Sequence, residues 1–275
     1  MTFLEMNLLI TDHSLLIRLT AFFTIFFAMT VWETLAPRRT PRMSKPRRWL
    51  TNLSLTAIDS LIARILLLIP GLGLALTAQS QGWGLLNRLD LPPFAAGVFS
   101  ILILDLTIYL QHFLFHKVPL FWLLHGLHHT DLDIDVTTGT RFHPLEIAMS
   151  LLIKAGTIIL MGIPGWAFLL FEILLNGTSL FNHGNVRISH GVDRVLRLFL
   201  VTPDMHRVHH SVIIRERDSN FGFNLPWWDR LFGTYRDQPE KGHTDMIIGL
   251  ANFRKPQDIT LPKLLLLPFT AGRKL

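Results

Sequence analysis

The chain has 275 residues, 49% of them apolar and 17% charged, with a mean hydropathy of +0.37 and a formal charge of +6. An ordinary soluble domain carries about 25% charged residues, and a disordered chain combines low hydrophobicity with high charge, so neither class fits. Cysteine is absent, which excludes disulfide scaffolds, thiolate zinc sites, cysteine-ligated iron–sulfur clusters and cysteine nucleophiles. On so apolar a chain the basic excess points to loops facing anionic lipid, not to nucleic acid.

A membrane-spanning helix needs about 20 mostly apolar residues. The first such stretch is 15–35, with Arg18 and Glu33 near its ends. It is expected to be a retained span, because Glu5 and Asp12 precede it where a leader would carry basic residues. The second is 53–78, marked by Asp59 and Arg64 in its first half, and the third is 94–111, interrupted only by Asp105. The fourth apolar region, 147–181, is too long for one crossing at 1.5 Å per residue. Gly162-Ile163-Pro164-Gly165 breaks it in the middle, which predicts a helical hairpin that returns to its starting side, a re-entrant hairpin fitting equally well. Between the first two spans lie Arg38, Arg39, Arg42, Lys45, Arg47 and Arg48 with no acidic residue. That loop is expected to be cytoplasmic, by the positive-inside rule, and to rest on phospholipid, the alternative being that it docks an acidic electron carrier.

The predicted fold is therefore all-α: about three membrane spans plus a helical hairpin, with a cytoplasmic, histidine-rich helical cap. One membrane-embedded domain covers 1–275. It divides into N-terminal spans over 1–111, a cap from 112–145 and 183–240, the hairpin at 146–182 and a C-terminal tail at 241–275.

The thirteen histidines are the anomaly. Eight fall into three clusters: His112-x3-His116, His125-x2-His128-His129 and His206-x2-His209-His210. At this histidine content a chance HxxHH is expected about 0.03 times in the chain, so two copies are not noise. On a helix, residues at i and i+4 share a face. His112 and His116 thus point together, as do two histidines of each HxxHH. Neutral imidazole is a ligand for iron, copper, nickel and zinc, and eight are too many for one ion. Two ions sharing them would leave positions open for oxygen or substrate. His183 is expected as a ninth ligand, where the hairpin re-emerges. His143, before Pro144, is either a further ligand or a helix cap, and His190 is a weaker candidate. Asp105 lies seven residues before His112, with Tyr109 between them on the same helix face. A carboxylate inside a span is a functional signal. Its expected role is to accept a hydrogen bond from a ligand imidazole, the alternative being a pairing with Arg64. Asn220 is a candidate donor behind the ligands.

These motifs resemble the fatty acid hydroxylase/sterol desaturase superfamily. The similarity runs through Asp105-x3-Tyr109-x2-His112-x3-His116, His125-x2-His128-His129-Thr130, Arg141-x-His143-Pro144-x-Glu146, His183-x-Asn185 and Thr202-Pro203-Asp204-Met205-His206-Arg207-Val208-His209-His210. It continues to Asn220-Phe221-Gly222 and Trp228-Asp229-Arg230, over about 100–240. Phe113 stands where many members have Arg, at a position that ligates nothing. The resemblance implies a membrane-bound, O2-dependent enzyme with a histidine-ligated di-iron centre that hydroxylates or desaturates a lipid: sterol, fatty acyl, isoprenoid or alkylglycerol. The di-iron centre itself would be the catalytic group, and Asp229 would belong to the cap over it.

GxGxxG, cysteine clusters and haem-attachment motifs are all missing from the sequence. Electrons would therefore come from an external donor: a ferredoxin, a cytochrome or a reductase. HExxH is also missing, against a zincin protease. The competing classes are a haem cytochrome, a metal transporter and a non-catalytic scaffold. The chain ends in neither KDEL nor dilysine, so a bacterial inner membrane is expected rather than the endoplasmic reticulum.

Overall fold

The computed structural model describes residues 3–66 and 71–272. Its elements run α1 (Phe3–Leu35), α2 (Lys45–Leu66), α3 (Gly71–Ser80), α4 (Pro93–Lys117), α5 (Pro119–His129), α6 (Pro144–Met161) and α7 (Gly165–Asn182). Short helices follow: α8 (His190–Leu196), α9 (Pro203–His209), α10 (Ile214–Arg217), α11 (Trp227–Leu231), α12 (Gly242–Asp245) and α13 (Leu261–Thr270). No strand occurs among the described residues, where extended pairing is confined to two isolated bridges.

Among the described residues, three helices are long and apolar enough to cross a membrane: His13–Leu35, Pro93–Lys117 and Pro144–Met161. They fall on the first span, the third span and the first arm of the hairpin. The second expected span, 53–78, is divided between α2 and α3. Residues 67–70 of that stretch lie outside the described residues. Its two pieces pack against the hairpin, α2 on α6 and α3 on both α6 and α7.

Proline and glycine set the breaks. Pro93 opens α4, where its missing N–H costs nothing. Val118 is extended, as a residue before proline must be, so α4 stops and Pro119 starts α5 at a new angle. That turn folds α5 back onto α4. Gly162 ends α6 in the left-handed conformation, φ 72°, and its N–H closes on the Ile158 carbonyl. The hairpin turn is tightly seated. A Cβ on Gly162 would lie 2.4 Å from the Trp83 carbonyl oxygen, while Gly82 (φ 65°) has open space around it. Gly162→Ala should therefore destabilise the protein by about 2 kcal/mol or more, and Gly82→Ala by about half that, its cost being conformational alone. Thermal unfolding of the two variants side by side measures the difference.

The cap is tied to the helices by buried ionic contacts. Arg48 is 3% exposed. It donates from Nε and Nη2 to the two oxygens of Asp131, each at 2.9 Å, and from Nη1 to Asp135 at 2.7 Å. Arg141, also buried, donates to Asn52 Oδ1 at 2.7 Å and Thr130 Oγ1 at 2.5 Å. Half of the basic loop is likewise engaged within the protein. Arg38 pairs with Asp204 at 3.1 Å, and Arg39 donates to the carbonyls of His243 and Met246. The expected phospholipid contact is corrected for Arg38, Arg39 and Arg48, because their partners, acidic at 131, 135 and 204 and backbone carbonyls at 243 and 246, lie far along the chain. Arg42 and Arg47 remain exposed. The described part of the C-terminal stretch, 241–272, does not trail away. Leu264 and Leu267 of α13 pack with Leu55, Trp122 and Leu127, so α13 closes one side of α5.

Candidate metal centre

The ends of α4, α5, α7 and α9 converge under the cap. Thr202 caps α9 by accepting from the Met205 N–H, and Pro203 starts it, so His206-x2-His209-His210 wraps one short helical turn. Buried Arg207 pairs with Asp204 and donates to the Gly184 carbonyl, fastening α9 to the end of α7.

Among the described residues, nine histidines form two groups, in each of which one ring nitrogen per residue lies within 4.8 Å of all the others. The first holds His112, His116, His125, His129 and His209; the second holds His128, His183, His206 and His210. The groups adjoin, with the rings of His129 and His210 stacked at 4.6 Å. Each HxxHH is divided between them. The i, i+4 pair of α5 (His125, His129) serves the first group and His128 the second. On α9 the pattern reverses: His206 and His210 serve the second and His209 the first.

The rings are held from behind. In the first group, Nδ1 of His112 donates to the Phe221 carbonyl at 2.8 Å and Nδ1 of His209 to the Ser219 carbonyl at 2.8 Å. Nδ1 of His125 meets Glu146 Oε1 at 2.7 Å, and Nδ1 of His116 meets Asp218 at 3.4 Å. The Nε2 atoms of these four are buried with no hydrogen-bond partner among the described residues, and both ring nitrogens of His129 are bare. In the second group, Nδ1 of His128 donates to the Arg141 carbonyl at 3.0 Å and Nδ1 of His183 to the Ser179 carbonyl at 2.8 Å.

A carbonyl oxygen only accepts, so each of these contacts places the proton on Nδ1 and leaves Nε2 as a lone pair. The Nε2 atoms of His128 and His183 are 3.1 Å apart. Two lone pairs at that distance cannot hydrogen-bond; a cation shared between them removes the conflict. Burial pushes His125 and His183 down to about 3. Burial, then neighbouring imidazoles, holds His128, His129, His206 and His210 well below the ordinary range. The rings are thus neutral at pH 7, the form that binds metals. This donor set fits two metal ions.

The remaining candidates lie outside both groups. His143 caps α6: its Nδ1 accepts from the Leu145 N–H at 3.1 Å and its Nε2 donates to the Leu265 carbonyl at 3.1 Å. His190 pairs with exposed Arg194. Asp105 contacts neither a ligand imidazole nor Arg64. It accepts from Asn224 Nδ2 at 2.7 Å, Trp228 Nε1 at 2.8 Å and the Leu225 N–H at 3.3 Å. The expected role is corrected: Asp105 holds the returning 224–228 segment, which reaches it only because the cap folds back over α4. Tyr109 bonds Thr234 at 2.9 Å and stacks on Phe232. Asn220 adopts φ 54° and donates to the Met205 and Arg236 carbonyls. It thereby locks the backbone between Ser219 and Phe221, whose carbonyls orient His209 and His112. Buried Asp229 accepts from the N–H groups of Phe221 and Gly222, each at 2.8 Å.

Sequence reasoning assigned no role to Glu146 or Asp218, nor to the carbonyls of Arg141, Ser179, Ser219 and Phe221. Glu146 had a signal, as a carboxylate in the first turn of an apolar helix next to a candidate ligand. Backbone carbonyls have none.

A cavity of 510 Å³ leads from His112 and His125 between α1, α2, α4, α6 and α7. Phe22, Ile25, Ile108, Phe115 and Ile173 line its apolar part; Arg18, Lys154 and Glu172 lie at its other end. Arg18 pairs with Glu172 at 2.5 Å.

A family model for fatty acid hydroxylases matches residues 97–234, the segment that carries all nine clustered histidines. The chain belongs to the fatty acid hydroxylase family. It is 32% identical over 149 residues to an ornithine lipid hydroxylase of Rhizobium tropici, covering 54% of this chain and 44% of that protein. It is 27% identical over 198 residues to human alkylglycerol monooxygenase, covering 67% of this chain and 42% of the relative. A Xenopus tropicalis alkylglycerol monooxygenase is 29% identical over 144 residues, 50% of this chain and 30% of its own. The chain thus spans less than half the length of these relatives. No solved structure matches.

Proposed function

We propose that this protein is a membrane-embedded, O2-dependent oxygenase that hydroxylates a lipid C–H bond at a di-iron centre. The division of nine buried histidines into a group of five and a group of four carries the reading. His112, His116, His125, His129 and His209 would hold one ion; His128, His183, His206 and His210 would hold the other. Five nitrogens within 4.8 Å of one another leave no room for a porphyrin between them, which speaks against a haem cytochrome. The names of the relatives, a lipid hydroxylase and monooxygenases, favour hydroxylation over desaturation.

Iron bound by imidazoles supplies redox cycling and an open position for oxygen. The chain's residues supply the rest. The Phe221, Ser219, Arg141 and Ser179 carbonyls and the Glu146 carboxylate fix the tautomer and aim of the ligand rings. Burial of every ligand ring keeps bulk water away. The cavity gives a lipid a path to His112 and His125. Electrons come from a separate ferredoxin, cytochrome or reductase. The basic loop before α2 favours the cytoplasmic side for the cap.

Metal analysis of detergent-purified, anaerobically handled protein tests the centre. The reading expects about two irons per chain. One zinc, haem absorbance, or no metal after reconstitution with ferrous iron overturns it. Glu146→Ala removes the carboxylate behind His125 and should weaken metal retention by about 10–100-fold, with Glu146→Gln, which still accepts from Nδ1, recovering part of it. Iron release to a graded chelator series measures both.

A further inference from the structure

The cavity carries a polar feature that metal binding does not use. Asp59 on α2 is 7% exposed and lines the cavity. Neither of its carboxylate oxygens has a hydrogen-bond partner among the described residues. Glu146, which lines the same cavity, leaves its Oε2 buried without a hydrogen-bond partner among the described residues, its Oε1 being taken by His125. Three carboxylate oxygens therefore line this wall without donors. The neighbouring hydroxyls supply none: Ser60 donates to the Thr56 carbonyl, and Thr56 Oγ1 is engaged with Asn52 and Thr140. Arg18 and Lys154 both face Glu172 instead. A buried carboxylate without donors is strongly penalised, so such a group marks a place for an incoming donor.

The helices locate this wall. Thr56, one turn before Asp59, bonds Thr140, which adjoins Arg141, the residue whose carbonyl holds His128. Asp59 therefore lies about one turn from the level of the metal ligands. Glu146 touches a ligand directly. Lys154 follows Glu146 by eight residues on α6, about 12 Å further along. The cavity is thus carboxylate-lined beside the histidines, apolar along Phe22, Ile25 and Ile173, and basic only at its distant end.

Resting on the oxygenase reading above, we propose that Asp59 receives the polar head of the lipid substrate, and that this head carries an aliphatic ammonium group. Three bare carboxylate oxygens favour a cation with several N–H donors over a neutral or anionic head. The head sits beside the metal ligands and the apolar chain runs outward. The oxidised carbon therefore lies in or next to the head, not at the end of the chain.

The test is equilibrium binding to the full-length, iron-loaded protein in nanodiscs. Its probes are a lipid with a free primary amine on its head and the N-acetyl analogue with the same chain. Wild type should prefer the amine by about tenfold or more, the effect of charge-assisted hydrogen bonds. Asp59→Asn and Asp59→Ala should bring that ratio to near one with iron content unchanged. Equal binding of the two lipids by wild type overturns the proposal, and so does a preference that survives in both variants. If a variant loses iron, the wild-type ratio decides alone. The ratio is read without turnover. A protein that discriminates the two lipids but holds no iron and oxidises neither overturns the oxygenase reading and leaves the head-group site standing.

Discussion

Replacing His128 with Ala should reduce bound iron from about two per chain to about one or fewer and bring lipid oxygenation to background, while the protein still inserts and elutes as the wild type does. His128 belongs to the smaller group, where four imidazoles leave no spare ligand. Its Nε2 faces that of His183 at 3.1 Å, so its removal also takes away half of the lone-pair pair that a cation resolves. His209→Ala removes one of five and should lose less iron but abolish turnover equally, because on the di-iron reading both ions would act on one substrate. His143→Ala is the informative contrast. Its ring nitrogens cap α6 and bond Leu265, so it should keep both irons and lose about 1 kcal/mol of stability through the lost cap. Iron analysis and turnover with a reconstituted electron donor, measured on all three, separate the roles. Full turnover in His128→Ala would sink the ligand assignment.

Arg48→Ala should be the most destabilising single change outside the histidines. It leaves Asp131 and Asp135 buried without their cation, and breaking one side of a buried pair costs about 3–5 kcal/mol. Burial alone would raise the Asp131 carboxyl, but Arg48 and Arg141 outweigh it and hold the group well below the usual carboxylate range. The damage reaches the site. Asp131 also accepts from Asn52 at 3.3 Å, Asn52 accepts from Arg141, and the Arg141 carbonyl orients His128. Arg48→Lys should recover little, since one ammonium cannot replace a bidentate contact to Asp131 plus a third to Asp135. The expected readout is a lower unfolding temperature together with weaker iron retention. Arg47→Ala, at an exposed neighbour, should change neither.

Periodic and punctuated features could be read from the chain alone. Apolar runs of span length marked α1, α4 and α6, because burial in lipid demands continuous hydrophobicity. Gly162 and Pro164 marked the hairpin turn, because backbone sterics act within a few residues. The i, i+4 spacing put His112 with His116 and two histidines of each HxxHH on common faces, because the helix repeat is local. The nine histidines that cluster were legible as candidates, eight from the three motifs and the ninth from His183's place at the end of the hairpin.

What those faces meet depends on the three-dimensional packing. Whether His209 joins His112 or His206 depends on how α9 docks between α5 and α7, a matter of packing between segments some 80 residues apart. The same holds for Asp105, whose partners Asn224, Leu225 and Trp228 arrive from a returning segment and not from its own helix. It holds for Arg48 as well, a surface charge by sequence that finds Asp131 and Asp135 in the interior. Long-range pairings of charges and carbonyls leave no periodic trace in a chain, so the partners that aim each imidazole appear only when the fold brings them together.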